Sequence, residues 1–262
     1  MFRIGCFLLL ASSPAWADAG PAPHEHAHEH EHGDEHEPTE TIVITASPLP
    51  HERGELATPV DRLTRDQIVL NLGSTIGETI GNLPGVTNSG FTAGASRPII
   101  RGQDAYRTEV LESGLSTQDV SRLSPDHALP INPLAAQAIE VVRGPGVLRY
   151  GGGASAGVVN VITNRIPAEP IDEAIRGDTL GVYQHNGNGG DFSGLLEGGV
   201  SSLAWHLDGL YRRADDYVNG VGTEQNGTDT EAWALSIGAA YLFEKGRLGF
   251  AYSRYDNEYG IP

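Results

Sequence analysis

The feature that most constrains the fold of this chain is a regular alternation of apolar and polar residues in its second half. Within residues 203–212, one parity carries Leu203, Trp205, Leu207 and Tyr211, while the other carries His206, Asp208 and Arg212. The same alternation returns in residues 233–241 and 248–252, and in a weaker form in residues 179–185 and 191–200. Because successive side chains of a strand point to opposite faces, this period predicts β-strands that each have an apolar and a polar face.

The aromatic residues of this region favour one environment for the apolar face. Five of them share the apolar parity, and several fall towards predicted strand ends: Trp205, Tyr211, Trp233, Tyr241 and Tyr252. An outward apolar face with aromatic girdles and an inward polar face is typical of a membrane β-barrel. A soluble β-sandwich with an ordinary core has the same period, so periodicity alone leaves both architectures open. In a barrel, His206 and Asp208 would face either a path for a metal ion or a solvated lumen.

The first 39 residues predict an exported chain with an unstructured start. Residues 1–17 contain a basic start, an apolar stretch and a small-x-small ending at residues 15–17, which together predict a signal peptide. Residues 18–39 contain almost no large apolar side chain, so they cannot bury enough surface to offset the entropy of ordering. We expect a disordered tail there.

Composition excludes several function classes. The only cysteine, Cys6, lies within the signal peptide, which excludes disulfides, thiolate metal sites and cysteine nucleophiles in the exported chain. The formal net charge of -17 is unsuited to nucleic acid, which needs clustered basic residues. A cationic ligand fits this charge better.

Residues 41–167 predict a separate α+β domain. We expect short strands over residues 42–44, 139–142 and 158–162 and short helices over residues 66–70 and 75–80. Asn132 followed by Pro133 predicts the capped start of a further helix over residues 134–138.

Several motifs of this region resemble the TonB-dependent outer-membrane receptors. Residues 40–46 (Glu-Thr-Ile-Val-Ile-Thr-Ala) resemble the TonB box, and residues 139–145, 148–151 and 156–163 resemble the plug signature. Ile100-Arg101-Gly102 matches another plug motif. One departure is the sequence Leu-Glu-Ser-Gly at residues 111–114, where such plugs often carry an Asp-Gly turn. The resemblance covers nearly everything after residue 39.

The resemblance implies an α+β plug domain followed by antiparallel transmembrane β-barrel strands. Its parts would be a TonB box at 40–46, a plug at 47–167 and the first barrel strands at 168–262. Outer-membrane transporters use about 22 strands of roughly 9 to 11 residues. Residues 168–262 provide room for about five, so we expect an incomplete barrel, the start of a longer receptor, that cannot transport alone.

Within this family the chain is most similar to the zinc-uptake branch. Residues 124–128 (Ser-Pro-Asp-His-Ala) resemble a plug loop associated with metal binding there, which makes Asp126 and His127 implied zinc ligands. In the alternative interpretation, Asp126 caps a turn after Pro125 and His127 simply packs beside it. The resemblance implies no enzyme and no catalytic cofactor. It implies zinc as the transported ligand, an outer-membrane location in contact with lipid, and energy supplied by TonB with its inner-membrane complex. Copper, nickel, a metal chelate such as a siderophore, or a soluble periplasmic metal-binding protein are the alternatives.

Two segments before the plug are predicted to bind partners on the periplasmic side. The tail alternates six histidines with acids and would bind zinc, copper or nickel with little selection among them: His24, His26, His28, His30, His32 and His36. The box presents an extended edge to which a partner sheet can add by backbone hydrogen bonds: Thr41, Ile42, Val43, Ile44 and Thr45. An ordinary first strand of the plug is the alternative for the box.

Overall fold

The computed structural model describes residues 43–44, 51–52, 59–90, 92, 94–117, 123–124, 126–150 and 153–262. Residues 41–262 form one compact unit. The strands are β1 (Val43–Ile44), β2 (His51–Glu52), β3 (Val60–Thr64), β4 (Val86–Asn88), β5 (Pro98–Ile100), β6 (Thr108–Glu112), β7 (Leu115–Ser116), β8 (Ala138–Val142), β9 (Gly157–Ile162), β10 (Arg176–Gln184), β11 (Gly189–Val200), β12 (Leu203–Ala214), β13 (Thr230–Phe243) and β14 (Gly246–Tyr259).

The first domain is built on a five-stranded sheet with the order β3-β8-β9-β6-β7. All its pairs are antiparallel except β6 with β9, which run parallel. Strands β8 and β9 lie in the middle of the sheet, and nearly all their residues are buried. This explains why both strands are mostly apolar on both faces rather than alternating, with Glu140 and Asn160 as their polar residues. Strands β4 and β5 form a separate two-stranded sheet.

Two short helices cover this sheet, as the sequence predicts: α1 (Arg65–Leu70) and α2 (Ile76–Ile80). Helix α1 begins after Thr64, whose backbone N–H donates to the Gln67 side chain at 3.0 Å. At the start of α2, the Thr75 hydroxyl accepts the Glu78 N–H at 3.2 Å. These bonds satisfy N–H groups that the first turn leaves free. Buried isoleucines of both helices join the main core, which includes Ile68, Ile76, Ile80, Ile139 and Val159.

The helix predicted over residues 134–138 is wrong. Asn132 does cap a turn, because its side chain accepts the Leu134 N–H at 2.9 Å, but the turn is a 3-10 helix over Pro133–Ala135. Ala138 already belongs to β8, where it pairs with Thr64 on one side and Ile162 on the other. Two ladders of backbone hydrogen bonds therefore outweigh the helix signal.

The departure at residues 111–114 still forms a tight turn. Ser113 and Gly114 both have positive φ, at 48° and 81°, as the two central residues of a type I′ hairpin turn require. They join β6 to β7. Ser113 thus stands where the family pattern has Asp. Its positive φ is uncommon for a residue other than glycine.

The second domain is one antiparallel sheet of five consecutive strands in the order β10-β11-β12-β13-β14, called the wall below. The predicted strands are confirmed, and the structure extends each of the last three by two to seven residues at their ends. Short turns at residues 201–202 and 244–245 mark one end of the wall, the turn end. Residues 185–188 and 215–229 connect strands at the opposite end, the loop end.

The two faces of the wall differ as the alternation predicts. One face packs on the first domain and buries mostly small and polar side chains, such as Ser193, Ala232 and Ser236. The other leaves large apolar and aromatic side chains exposed, including Phe192, Tyr211, Trp233, Leu235 and Tyr241. In the described residues no second sheet covers this face, so a β-sandwich core does not form there. Within the same ranges no helix is long and apolar enough to cross a membrane.

Candidate functional site

Asp126 and His127 lie together at the loop end of the wall, with their side chains accessible. His127 Nδ1 is 3.0 Å from Asp126 Oδ1, and the two side chains are 52% and 32% exposed respectively. The Ser124 hydroxyl also donates to Asp126 Oδ1. The hydrogen bonds from Ser124 and His127 lower the pKa of the Asp126 carboxyl, so the group is ionised at neutral pH.

The backbone around this pair is fixed by the end of β14. The Tyr259 hydroxyl donates to the Asp126 carbonyl at 2.8 Å and accepts the Ala128 N–H at 3.0 Å. Arg97 Nε donates to the His127 carbonyl at 2.9 Å. Three hydrogen bonds thus position the pair, although much of the preceding loop, including Pro125, lies outside the described residues.

This geometry divides the roles of the two side chains. If Nδ1 of His127 donates to Asp126, its Nε2 keeps a free lone pair, which is the form of histidine that binds a metal ion. A carboxylate that orients a ligating histidine is a common arrangement in zinc sites. No cluster of three or more His, Cys, Asp or Glu side chains suited to a metal occurs in the described part of the chain. Since zinc takes about four donors, the pair would supply one or two of them.

The predicted TonB box is described only at Val43 and Ile44. These two residues form β1 and pair antiparallel with β2, Val43 with Glu52 and Ile44 with His51. The backbone is therefore extended at these two residues, and the assignment of residues 40–46 as a TonB box stays a prediction. Thr41, Ile42 and Thr45 lie outside the described residues, and so do the six tail histidines: His24, His26, His28, His30, His32 and His36.

A cluster of buried and half-buried polar side chains joins the first domain to the wall near the turn end. We call it the polar seam: Glu112, Asn164 and Arg165 of the first domain, with Glu197, His206 and Asp208 of the wall. Asn164 donates to Glu197 Oε1 at 2.7 Å, and Arg165 forms an ion pair with Glu112. Arg165 Nε lies 3.7 Å from Asp208 Oδ2.

His206 lies at the centre of the polar seam. Its Nδ1 is 2.9 Å from Glu197 Oε1 and its Nε2 is 2.9 Å from Asp208 Oδ2. Only 1% of His206 and 4% of Asp208 are exposed. These two residues therefore line neither a metal path nor a solvated lumen in this structure. The sequence periodicity predicted that the two residues share one face of a strand, but it did not identify the side chains that contact them.

A second attachment joins the domains closer to the loop end. Arg212 of β12 donates to both carboxylate oxygens of Asp191 in β11, at 2.7 and 3.0 Å, and also to the Ser74 carbonyl ahead of α2. An apolar cluster of Leu134, Leu210 and Ala234 packs between the domains. The wall therefore holds the first domain along its whole length.

Comparison with known proteins identifies the first domain. Residues 52–158 match the family model of the TonB-dependent Receptor Plug Domain. The chain contains a TonB-dependent receptor plug domain. The plug signature at residues 139–145, the Ile100-Arg101-Gly102 motif and the turn at 113–114 all lie within the matched range.

The relatives extend the similarity beyond the plug. The vitamin B12 transporter BtuB of Photobacterium profundum is 27% identical over 237 residues, covering 85% of this chain and 37% of BtuB. Among solved structures, the copper transporter OprC matches with a TM-score of 0.65 at 18% identity, over 77% of this chain and 31% of OprC. A mutant of the ferric enterobactin receptor PfeA of Pseudomonas aeruginosa matches with a TM-score of 0.61 at 22% identity, over 77% of this chain and 34% of PfeA.

These matches establish the architecture. The plug domain is followed by antiparallel strands that resemble those of the receptor barrels, and the chain spans about a third of the length of these relatives. At these identities the solved structures indicate a shared fold. The three proteins named above are transporters or receptors.

Proposed function

We propose that this chain works in a TonB-dependent outer-membrane receptor that imports zinc, with the plug gating the barrel and TonB supplying energy. The observation that carries the receptor assignment is the plug domain bonded to the polar face of a wall whose other face is apolar and aromatic. A lipid bilayer is the environment that matches such a face. Import requires no covalent chemistry from this chain.

The two ends of the wall support one orientation in the membrane. Membrane barrels have short periplasmic turns and longer extracellular loops. Asp126 and His127, at the loop end, would therefore face the outside, where an arriving metal ion is bound first. The TonB box and the histidine tail would face the periplasm.

The proposal that zinc is the cargo depends on the Asp126–His127 pair together with the histidine tail. The pair offers an imidazole nitrogen and carboxylate oxygens, and residues of the barrel would complete the four donors that zinc takes. The same donors also bind copper and nickel. OprC is a copper transporter, and PfeA and BtuB are described with enterobactin and vitamin B12, so copper, nickel or a chelate is the competing cargo.

Uptake measurements on ligand variants test the cargo. Radiozinc uptake at limiting zinc is compared between the complete receptor that contains this chain and its His127→Ala and His185→Ala variants, since His185 is an exposed histidine of the loop end that the proposal does not use. We expect a loss of uptake only in His127→Ala. If all three proteins take up zinc equally and His127→Ala reduces the uptake of copper, nickel or ferric enterobactin, that ion or chelate would replace zinc as the proposed cargo.

A proline in the box tests the energy-coupling partner. Val43→Pro removes a backbone N–H that an added strand would need, so energised uptake should stop while zinc binding remains. Val43→Thr keeps the N–H and a strand-forming side chain and should retain uptake. Normal uptake by Val43→Pro would count against the TonB box.

The tail has a separate test because its role is independent of the plug. We propose that it buffers arriving metal on the periplasmic side. Replacing the six histidines by asparagine keeps the length and acidity of the tail while removing imidazole donors. Reduced uptake at limiting zinc is the expected result, and unchanged uptake would remove the tail from transport.

A further inference from the structure

The environment of His206 determines how many protons its ring carries. Both ring nitrogens lie 2.9 Å from a carboxylate oxygen, Glu197 Oε1 for Nδ1 and Asp208 Oδ2 for Nε2. A neutral imidazole has one donor and one acceptor, and an ionised carboxylate only accepts. Two such bonds require two N–H donors, so the geometry corresponds to an imidazolium.

The neighbouring groups leave the proton on histidine rather than on a carboxyl. Glu197 already accepts from Asn164 at 2.7 Å and from Arg176 at 2.8 and 3.2 Å, which favours its ionised form. Arg176 also lies 3.7 Å from Glu173. On the other side, Arg165 is paired with Glu112, so His206 supplies the closest hydrogen bond to Asp208.

The third strand that packs on His206 adds no further charge. His206 pairs across the wall with Gly238 of β13, and Asp208 pairs with Ser236, whose hydroxyl is buried without a hydrogen-bond partner. Loss of one ring proton would therefore leave a bare nitrogen lone pair against Glu197 or Asp208. Glu197 would keep its hydrogen bonds from Arg176, whereas the nearest other cationic group that the described residues offer to Asp208, Arg165 Nε, lies 3.7 Å away, beyond hydrogen-bond distance. That contact is repulsive and costly at 1% exposure.

The polar seam holds the segment that leaves the plug. Residues 163–175, called the exit segment below, connect β9 with the first strand of the wall, and Asn164 and Arg165 lie at its start. Asn164 contacts the same Glu197 oxygen that faces His206 Nδ1. The Glu197 side chain therefore links His206 to the Asn164 side chain.

We propose that His206 is a proton-dependent positioning residue: its imidazolium holds Glu197 and Asp208 in place for Asn164 and Arg165, and loss of that proton releases the exit segment of the plug from the wall. This goes beyond the proposed import function, because it holds for any cargo. The contact is complete at neutral and mildly acidic pH and weakens as the medium becomes alkaline.

Nitrogen chemical shifts of the unmodified protein test the charge directly. In selectively ¹⁵N-histidine-labelled full chain in detergent micelles, we expect one histidine with imidazolium shifts at pH 7.5, where an ordinary histidine of pKa about 6.5 is mostly neutral. The signal should be absent from His206→Gln and present in His185→Gln. Neutral-imidazole shifts for every histidine at pH 7.5 would overturn the proposal.

Hydrogen exchange tests the mechanical consequence. Between pH 7 and pH 9.5, the protection factor of peptide 163–171, corrected for intrinsic exchange, should fall about tenfold or more in the unmodified protein, the size expected for one charge-assisted hydrogen bond. In His206→Gln protection should be low at both pH values, and His185→Gln should follow the unmodified protein. A peptide 163–171 whose protection is independent of pH in the unmodified protein would reject the release step, even if the imidazolium is present.

Discussion

Gly238→Ala should detach the exit segment of the plug from the wall. Gly238 lies in β13 on the face that packs against the plug, and a Cβ added there would overlap the Arg165 carbonyl oxygen and lie 2.8 Å from the carbonyl carbon. Both neighbours belong to backbone, so no flexible side chain can move aside. The wall strand or the exit segment itself must shift.

The size of that shift sets the expected energy. Restoring a carbon–carbon contact of about 3.5 to 4.0 Å requires a displacement of roughly 1 Å. The Asn164–Glu197 hydrogen bond, now 2.7 Å, would then exceed the limit for a hydrogen bond. Overpacking costs about 1 to 3 kcal/mol, and losing a hydrogen bond to a charged group costs about 1.5 to 3 kcal/mol. We therefore expect docking of the segment to be less stable by about 3 to 5 kcal/mol.

Hydrogen exchange followed by mass spectrometry measures this docking in the purified protein. At about 1.4 kcal/mol per tenfold change, peptide 163–171 should exchange at least roughly a hundredfold faster in Gly238→Ala. The control is Gly209→Ala in β12, whose added Cβ would meet its nearest atom, the Ala234 carbonyl oxygen, at an ordinary 3.6 Å. Equal exchange in the two variants would refute the close approach of the backbones at Gly238.

Three further predictions concern the plug core and its attachments. Ile139→Ala should lower the free energy of unfolding of the plug, measured by urea denaturation, by about 2 to 5 kcal/mol, because this side chain is fully buried; a smaller loss than in the exposed Leu70→Ala would contradict the core assignment. Arg212→Met should lower the free energy of unfolding, measured by thermal denaturation, by about 3 to 5 kcal/mol because Asp191 stays buried and unpaired. The double variant with Asp191→Leu should recover part of that stability, and no recovery would argue against the ion pair. Burial raises the pKa of Glu78 even though the Ser74 N–H and Arg212 act to lower it, so its favourable contribution to folding stability is complete below pH 4.5 and is lost as pH rises. Glu78→Gln should raise the melting temperature above that of the unmodified protein at pH 7 but not at pH 4. A rise that does not depend on pH would reject this cause.

The wall could be predicted from the sequence because its signal is local. An apolar–polar period of two depends only on which face each residue occupies, and it persists through β12 and β13 without interruption. The strand bounds were less accurate, since the ends of β14 continue the ladder beyond the apolar alternation.

The helix assigned to residues 134–138 failed for a tertiary reason. Asn132 and Pro133 do start a helical turn, but the residues that follow form β8, which pairs with β3 on one side and with β9 on the other. The strand partners of Ala138, Thr64 and Ile162, lie far from it along the chain. No local propensity reports such partners.

The polar seam was beyond sequence reasoning for the same reason. Its members come from β6, the exit segment, β11 and β12, and only docking of the plug brings them together. The alternation placed His206 and Asp208 on one face, yet a water-filled lumen and a buried salt-bridge cluster give the same pattern. Charge on a predicted inner face indicates polarity without indicating hydration.

The sequence spacing of two contacts between the plug and the wall also bears on the order of assembly. Asn164 and Glu197 in the polar seam are 33 residues apart, whereas Tyr259 and Asp126 at the loop end are 133 apart. Loop-closure entropy grows with the logarithm of length, so the longer contact costs about 1 kcal/mol more to close. We therefore expect the polar seam to form first once β11 and β12 are paired, and the loop that carries Asp126 and His127 to be fixed on the wall last.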